Sequence, residues 1–404
     1  MSWQTVKLAD LCTVITKGTT PSNIGESFTE SGVNYIRSEM ITDAKYISPN
    51  GMLYISEGTH EKLKRSQLKK NDILFSMAGV YLGKTALLRE EDVPANTNQA
   101  VALIRLDSSK CNLEYVYYFL NLPETVAKVN TVSGQAAQPN INLKQIGNIE
   151  ISLPDIELQN RTVNILSAYD DLIENNQKQI KLLEEAAQRL YKEWFVDLRF
   201  PGYENTEIVD GVPEGWRIDE VKSIVSLLSG YAFKSGDFVE GGKYKVVTIK
   251  NVQDGSFDGE NVNTITEIPS KMPSHCVLND GDILLSLTGN VGRICLVNGE
   301  NYLLNQRVAK LDSKYPAYAY CLFRNKDMFD IMNNLANGAA QQNLSPIRTE
   351  NVRILIPSDV FIGKFENVVS PMIAKILLLN KANCNLKQAR DRLLPKLMSG
   401  ELEV

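Results

Sequence analysis

The sequence repeats itself, and this duplication limits the folds open to the chain. Residues 68–88, LKKNDILFSMAGVYLGKTALL, resemble residues 278–297, LNDGDILLSLTGNVGRICLV. The segment ISLP at 151–154 recurs as ILIP at 354–357. Two matched copies within 404 residues predict two related globular regions in succession.

The glycines of this repeat raise the alternative of a phosphate-binding loop, and with it a nucleotide hydrolase. Gly79 is followed by Gly83, Lys84 and Thr85, but the interval is one residue shorter than a P-loop requires. In the second copy Arg293 stands where the first has Lys84, and the glycines lie closer together. Both copies therefore predict an apolar strand, a glycine-containing turn and a second apolar strand. The shared aspartates Asp72 and Asp282 fit turn residues better than catalytic acids.

Each copy also ends in a long amphipathic stretch whose apolar positions alternate in steps of three and four residues. This spacing is typical of a coiled-coil seam. Both stretches keep one register, so we expect the two helices to pair antiparallel about a pseudo-twofold axis. Asn176 and Asn383 interrupt the apolar series and fit a role in fixing the helix register. The residues predicted to pair the helices are Leu166, Tyr169, Ile173, Ile180, Leu183, Leu190, Met372, Ile376, Leu379, Leu386, Leu393 and Leu397.

These features predict an α+β fold in which a β-rich region and a long helix occur twice. We expect a first globular region at 1–155, a helix at 156–200, a linker at 201–213, a second globular region at 214–358 and a second helix at 359–404. Charge supports the helix pairing, because residues 156–213 carry 11 acidic and 6 basic side chains, whereas residues 359–404 carry 5 acidic and 7 basic ones.

Composition narrows the function classes. The chain is 43% hydrophobic and has no apolar run long enough to span a bilayer, so a cytoplasmic protein without a membrane partner is expected. It has six cysteines, none in a C-x-x-C pair, and two histidines, which disfavours a zinc site. The net charge of −5 argues only weakly against nucleic acid, since local surfaces decide binding.

Several short motifs add to the duplication. KGTTPS occupies 17–22, a glycine-containing segment with Gln and Asn precedes each Leu-Pro or Ile-Pro strand, and LMSGEL ends the second helix at 397–402. Together, and over essentially the whole length, the chain resembles the specificity subunit of type I restriction–modification systems. The second copy departs from this pattern with SGYAFKS at 229–235, so the same base contacts are not expected there.

The resemblance implies two target recognition domains, each reading one half of a bipartite site in double-stranded DNA. The helices would space the half-sites and dock two methyltransferase subunits, and restriction/translocase subunits would complete the assembly. A helix of roughly 30 residues is ~45 Å long, or ~13 base pairs, which implies half-sites about one turn of DNA apart. The chain itself would be non-catalytic and hold no cofactor, with S-adenosylmethionine, ATP and Mg on partner chains.

Base edges and phosphates are read by amides, cations and hydroxyls on exposed loops. The candidates in the first copy are Lys17, Thr19, Thr20, Arg37, Ser38, Tyr81, Lys84, Gln135, Gln138 and Asn140. Those in the second copy are Tyr231, Phe233, Lys234, Lys250, Asn251, Asn290, Arg293, Gln341, Gln342 and Asn343. Asn140 and Asn343 equally fit turn formers or helix caps, and Asn98 and Asn305 fit structural amides. A coiled-coil scaffold that binds only proteins stays open as the alternative function.

Overall fold

A computed structural model describes residues 3–132, 139–260, 262–336 and 342–403. Its contacts define two compact units. The first unit comprises Met1–Leu172 with Leu386–Val404, and the second unit comprises Ile173–Asn385. Each unit therefore contains one β-rich copy together with a part of both long helices.

The first copy alternates short strands and helices before the first long helix. Its elements are β1 (Gln4–Lys7), β2 (Cys12–Lys17), β3 (Val33–Ile36), β4 (Leu53–Ile55), α1 (Glu57–Lys62), β5 (Ile73–Ser76), β6 (Thr85–Leu87), β7 (Ala95–Thr97), β8 (Val101–Leu106), α2 (Leu113–Leu120), α3 (Pro123–Val132), α4 (Leu143–Gly147), β9 (Glu150–Leu153) and α5 (Ile156–Tyr191). A π-helical turn, Lys192–Val196, extends α5.

Three sheets organise the first unit. β2, β8, β5 and β6 form an antiparallel sheet in that order, β4, β3 and β7 form a second sheet in which β3 and β7 are parallel, and β1 pairs with β9. The β5–β6 pair is the predicted strand–turn–strand, with Ile73 opposite Leu87. Ile73 and Phe75 face one core while Leu74 faces another, because successive side chains point to opposite faces. The apolar run ILF therefore marks a strand buried on both sides.

The second copy follows the same plan. Its elements are β10 (Ile208–Val209), β11 (Val212–Pro213), β12 (Arg217–Glu220), β13 (Ser226–Ser229), β14 (Tyr244–Val247), β15 (Val252–Gln253), β16 (Ser256–Phe257), β17 (Asn263–Ile265), β18 (Val277–Leu278), β19 (Ile283–Ser286), β20 (Ile294–Leu296), β21 (Tyr302–Leu304), β22 (Val308–Asp312), α6 (Pro316–Arg324), α7 (Lys326–Ala336), α8 (Pro346–Glu350), β23 (Arg353–Ile356) and α9 (Asp359–Ser399).

The sheets of the second unit match those of the first. The order β13-β22-β19-β20 repeats β2-β8-β5-β6, and β12 pairs with β23 as β1 pairs with β9. β14 and β21 are the parallel pair, as β3 and β7 are, within a sheet ordered β17-β14-β21-β18. The duplication seen in the sequence is thus a duplication of topology, and the predicted α+β fold is confirmed.

The two long helices run antiparallel. In the second unit the amide of Asn176 donates to the side-chain oxygen of Asn383 at 2.8 Å, and the rings of Trp194 and Phe365 lie 6.0 Å apart. The contacts advance from 176 to 194 on α5 and go back from 383 to 365 on α9, so the chain directions are opposite. The predicted pairing residues are all buried or half-buried. Asn176 and Asn383 do meet, as their interruption of the seam suggests.

Both helices contribute to the cores of the units. Val163 and Leu166 of α5 lie in the first unit's core together with Leu394, Leu397 and Met398 of α9. In the second unit's core, Phe195 contacts Tyr318 at 5.1 Å and Phe365 at 5.1 Å between ring centroids. Burying an aromatic ring of this size stabilises the fold by about 1.5–3 kcal/mol. The helices are therefore anchored by packing and not only by pairing.

The predicted linker at 201–213 and the residues on either side of it are more ordered than the composition indicates. Phe200 is fully buried, and its ring lies 4.8 Å from that of Trp216. Downstream, β10 and β11 form a small hairpin around Asp210 and Gly211, whose φ angles are 50° and 79°. Two successive positive φ angles define the hairpin turn that Asp-Gly favours. The Asp-Gly pair at 210–211 was therefore a turn signal in the sequence. A prediction from Pro and Gly content alone does not detect it.

Candidate nucleic-acid interface

The start of β8 is the point where loops of the first unit meet. Lys17, the last residue of β2, lies opposite Ala102, and Ser76, the last residue of β5, lies opposite Val101. Because β2 and β5 flank β8 and both end where β8 begins, the loop after β2 and the β5–β6 turn lie side by side. The Lys17 side chain is exposed at this edge.

The parallel pair β3–β7 brings two more segments to the same edge. The carbonyl of Thr97, the last residue of β7, accepts a hydrogen bond from the Thr19 N–H at 3.1 Å. The Thr20 hydroxyl donates to the side-chain oxygen of Gln99. Arg37 directly follows β3, and the 3-10 turn Ser38–Met40 comes next. The predicted residues of these loops therefore do share one edge.

The segment before α4 is bound to the glycine turn. The Gly79 N–H donates to the carbonyl of Pro139 at 3.1 Å, and the Ile141 N–H donates to the carbonyl of Met77 at 3.0 Å. Asn140 lies between these two bonds and is exposed. It is not a helix cap, because Asn142 caps α4. The first unit thus gathers four polar segments that are far apart in sequence.

The second unit repeats this arrangement. β13 and β19 both end where β22 begins. The Tyr231 N–H donates to the carbonyl of Leu304 at 2.9 Å, which joins the loop after β13 to the end of β21. The Leu344 N–H donates to the carbonyl of Leu287 at 2.7 Å, which joins the segment before α8 to the second glycine turn. Asn343 is exposed beside this bond, and Ser345 is the residue that caps α8.

The two glycines of each turn have the same backbone conformation in both copies. Gly79 and Gly83 have φ angles of 69° and 82°, and Gly289 and Gly292 have 73° and 83°. This left-handed region favours glycine because other residues meet steric repulsion there. Each turn leads into a strand, β6 or β20, whereas a phosphate-binding loop opens a helix. The turn is thus a β-hairpin loop, and the P-loop alternative is excluded.

Two cations of the first unit are held loosely at this edge. The Lys84 Nζ lies 2.9 Å from a carboxylate oxygen of Asp43, which is 85% exposed, and 6.0 Å from the centre of the Tyr81 ring. Arg37 pairs with Glu39 at 2.7 Å, and both side chains are about a third exposed or more. Ion pairs between exposed groups contribute about 0–1 kcal/mol. A phosphate could therefore replace either carboxylate at small cost.

The second unit presents a comparable set of side chains. Arg293 donates to the side-chain oxygen of Gln253, and Asn290 stands at the tip of the same turn. Lys234 and Lys250 are exposed. The rings of Tyr231 and Phe233 are half-buried and meet edge to face at 5.1 Å, which makes the loop after β13 an aromatic platform where the first unit has threonines.

One predicted contact residue does not belong to the surface. Asn251 is fully buried. Its side-chain oxygen accepts bonds from the N–H and hydroxyl of Thr248 at 2.8 and 2.9 Å, and its amide donates to the Asp258 carbonyl at 2.9 Å. These bonds hold the turn between Thr248 and Asp258 in place. The structure therefore gives Asn251 a structural role. Gln342 is exposed, and Gln135, Gln138 and Gln341 lie outside the described residues.

The structure also adds residues to this edge. Val80, at the tip of the first glycine turn, is 89% exposed and occupies the place of Asn290 in the second copy. Gln99 bonds to Thr20, and Arg65 approaches the Thr19 hydroxyl at 3.4 Å. Gln99 follows Asn98 as Gln306 follows Asn305, and this recurring Asn-Gln pair was a usable signal for Gln99. No pattern in the sequence singled out Val80 or Arg65.

Asp72 and Asp282 are structural, as their turn positions indicate. Asp72 accepts a bond from the Lys69 N–H at 2.7 Å and pairs with Arg105 at 2.7 Å. Asp282 pairs in the same way with Lys310 at 2.9 Å. Burial raises the pKa of Asp72 above its ordinary value, and the bonds from Arg105 and Lys69 oppose that rise. Both carboxylates are engaged in closing a turn.

A metal centre or a membrane-spanning helix would indicate another class of protein. Among residues 3–132, 139–260, 262–336 and 342–403, no cluster of three or more His, Cys, Asp or Glu side chains is arranged to hold a metal. Within the same described parts, no helix has the length and apolarity needed to cross a membrane.

Comparison with known proteins agrees with this geometry. A family model described as the type I restriction modification DNA specificity domain matches residues 1–185 and 213–362. The matched model is a DNA specificity domain and it occurs twice, so the chain is in the class of non-catalytic DNA-recognition subunits. The chain belongs to the family of type I restriction–modification specificity subunits, as the sequence motifs predict.

Individual relatives cover the whole chain. The MjaIX specificity subunit of Methanocaldococcus jannaschii is 28% identical over 100% of this chain and 94% of its own length. The MjaVIII specificity subunit of the same organism is 25% identical over 100% of this chain and 93% of its own. A crystal structure of the type I S subunit from M. genitalium has the same fold, with a TM-score of 0.56 and 17% identity over 98% of this chain and 96% of that one.

Proposed function

We propose that each unit reads one half of a bipartite site in double-stranded DNA through the loop edge at the start of its central strand, β8 or β22. The observation that carries this proposal is the repeated convergence of four polar segments on that strand in both units. Exposed cations there suit phosphates, and exposed amides suit base edges. The individual contact residues are part of the proposal.

The paired helices act as the spacer between the half-sites and as the docking surface for two methyltransferase subunits. α5 has 36 residues and is therefore ~54 Å long. Half-sites about one turn of DNA apart, centre to centre, would suit a spacer of this kind. Restriction/translocase subunits complete the assembly, which acts in the cytoplasm.

The chemistry belongs to the partner chains in this proposal. Methyl transfer needs S-adenosylmethionine, and translocation and cleavage need ATP and Mg. We assign none of these cofactors to this chain. Its own contribution is to place a target base within reach of the methyltransferase.

Exchange of one loop-bearing region tests the proposal. Residues 214–358 would be replaced by the corresponding region of a relative with a different sequence, and DNA methylated by the assembled complex would be sequenced. We expect one half of the methylated motif to change while the other half and the gap stay the same. A chain that serves only as a protein scaffold would show no change in either half.

A further inference from the structure

The first unit contains a buried polar junction between both long helices and the globular region. Asp170 of α5 is 6% exposed, and one of its carboxylate oxygens pairs with the guanidinium of Arg390 on α9. Its other oxygen accepts a hydrogen bond from the Tyr118 hydroxyl of α2 at 2.6 Å. One carboxylate thus binds three elements together.

The second unit contains a junction of the same chemistry. Glu184 of α5 accepts bonds from the Arg324 guanidinium at 2.8 Å and from the Tyr320 hydroxyl at 3.0 Å, both on α6. Arg324 also pairs with Asp254, in the turn between β15 and β16, at 3.4 Å. The Arg324 and Glu184 side chains are 12% and 19% exposed. In both units, therefore, α5 supplies a shielded carboxylate that holds an arginine and a tyrosine.

These junctions were not inherited from the duplication. In the common register of the two helices, Asp170 corresponds to Ile373, and Arg390 corresponds to Ala187. Glu184 corresponds to Lys387. The same chemistry therefore stands at unrelated positions of the two copies, where the other copy accepts apolar or oppositely charged side chains.

Stability alone does not account for such junctions. Burial removes the hydration of both charges, and the attraction between them barely offsets that free-energy cost. Apolar side chains of similar size often stabilise a fold as well or better. Ala187 and Ile373 show that apolar side chains fit the corresponding sites of this fold. A buried ion pair does differ from apolar packing in being directional, because the hydrogen bonds fix both distance and angle.

We propose that Asp170 and Glu184 are positioning residues that fix the orientation of each globular region on the helices, and thereby restrict recognition to one gap length between the half-sites. This inference rests on the proposed function. A gap longer by one base pair moves a half-site by about 3.4 Å and rotates it by about 35° around the DNA axis. A globular region that followed such a movement while its helices stayed in place would break the bonds of its junction.

Isosteric variants with matched controls test the role. Asp170→Asn and Glu184→Gln remove the charge that holds each arginine, while Asp171→Asn and Glu185→Gln change exposed carboxylates one position further along the same helix. Each assembled complex would methylate a DNA library in which the gap of the wild-type motif varies by one or two base pairs. The readout is the ratio of methylation at altered gaps to methylation at the wild-type gap.

We expect the ratio to rise at least about tenfold for each junction variant, a change of about 1.4 kcal/mol, and to stay at the wild-type value for both controls. The double exchange Asp170→Arg with Arg390→Asp should bring it back towards the wild-type value. Junction variants that keep full methylation at a single gap would overturn the inference. A wild-type complex with no split motif would instead overturn the proposed function.

If a junction variant unfolds, two milder substitutions at the tyrosines test the same role. Tyr118→Phe removes one hydrogen bond, to Asp170, and Tyr320→Phe removes two, to Glu184 and from Arg324, while both variants keep the ion pair. We expect a smaller rise in the same ratio, with thermal unfolding showing that the chain is folded. An unchanged ratio in both folded tyrosine variants would also overturn the inference.

Discussion

At the scale of single residues, cations with different roles are alike in the sequence and differ in their surroundings. Arg105 and Lys310 are bound to carboxylates that close turns. Lys84 pairs with the exposed Asp43 beside the Tyr81 ring, and its counterpart Arg293 ends the matching turn. The structure thus separates cations that support the fold from those that we propose for DNA contact.

Lys84→Ala is expected to weaken DNA binding by removing a phosphate contact. The slope of the logarithm of the binding constant against the logarithm of salt concentration should fall by about one, because one fewer counterion is released. Binding of the assembled complex to its motif at several salt concentrations measures this slope. The control is Lys70→Ala, which removes an exposed cation at the opposite end of β5. An unchanged slope would remove Lys84 from the interface.

Asn251→Ala should destabilise the chain rather than alter recognition. Loss of its amide leaves the Thr248 N–H and the Asp258 carbonyl without their partner, which costs about 1–3 kcal/mol in the free energy of unfolding. Its neighbour Lys250 is exposed, so Lys250→Ala should change stability by less than about 0.5 kcal/mol. Denaturant unfolding of both variants compares them. Equal stabilities with weaker DNA binding by the Asn251 variant would contradict this account.

The burial of Asn251 shows what a sequence of this kind leaves open. Lys250 and Asn251 are adjacent and both polar, and local pattern alone treats them as one loop. Whether the amide turns inward depends on Asp258, seven residues later, and on the β15–β16 turn that brings it back. A loop closed by a hydrogen bond between residues seven positions apart leaves no periodic pattern in the sequence.

At the scale of elements, periodic features were predictable and irregular ones were not. The heptad steps predicted both long helices, and the repeat predicted the β5–β6 and β19–β20 hairpins. The buried Phe200 and the hairpin after it escaped prediction, because a Pro- and Gly-rich segment has no period that reveals an aromatic partner such as Trp216.

The Asn176–Asn383 pair should be coupled energetically. Asn176→Leu leaves the side-chain oxygen of Asn383, a residue that is 7% exposed, without its donor, and should cost about 1–3 kcal/mol in the free energy of unfolding. Replacing both asparagines by leucine removes the unpaired group, so the double variant should be more stable than either single one. Unfolding of the three variants in a double-mutant cycle measures the coupling. Additive effects would show that the pair does not set the helix register.

At the scale of the whole molecule, duplication gives one chain two readers whose scaffolds match while their loops differ. The sheet orders and the glycine turns repeat, whereas Thr19 and Thr20 give way to Tyr231 and Ala232, and Val80 to Asn290. A scaffold that is constant where it packs and variable where it is exposed suits the recognition of two different half-sites. The target bases follow from loop geometry and DNA deformation, which composition and periodicity do not encode.

The central claim is that the two units read two half-sites held at one spacing. The most direct measurement is base-resolved detection of methylated adenine in DNA from cells that express this chain with its cognate methyltransferase subunit. The account predicts a single split motif with one fixed gap and with half-sites about one turn of DNA apart. Methylation at one continuous motif, or none from a complex shown to assemble, would contradict it.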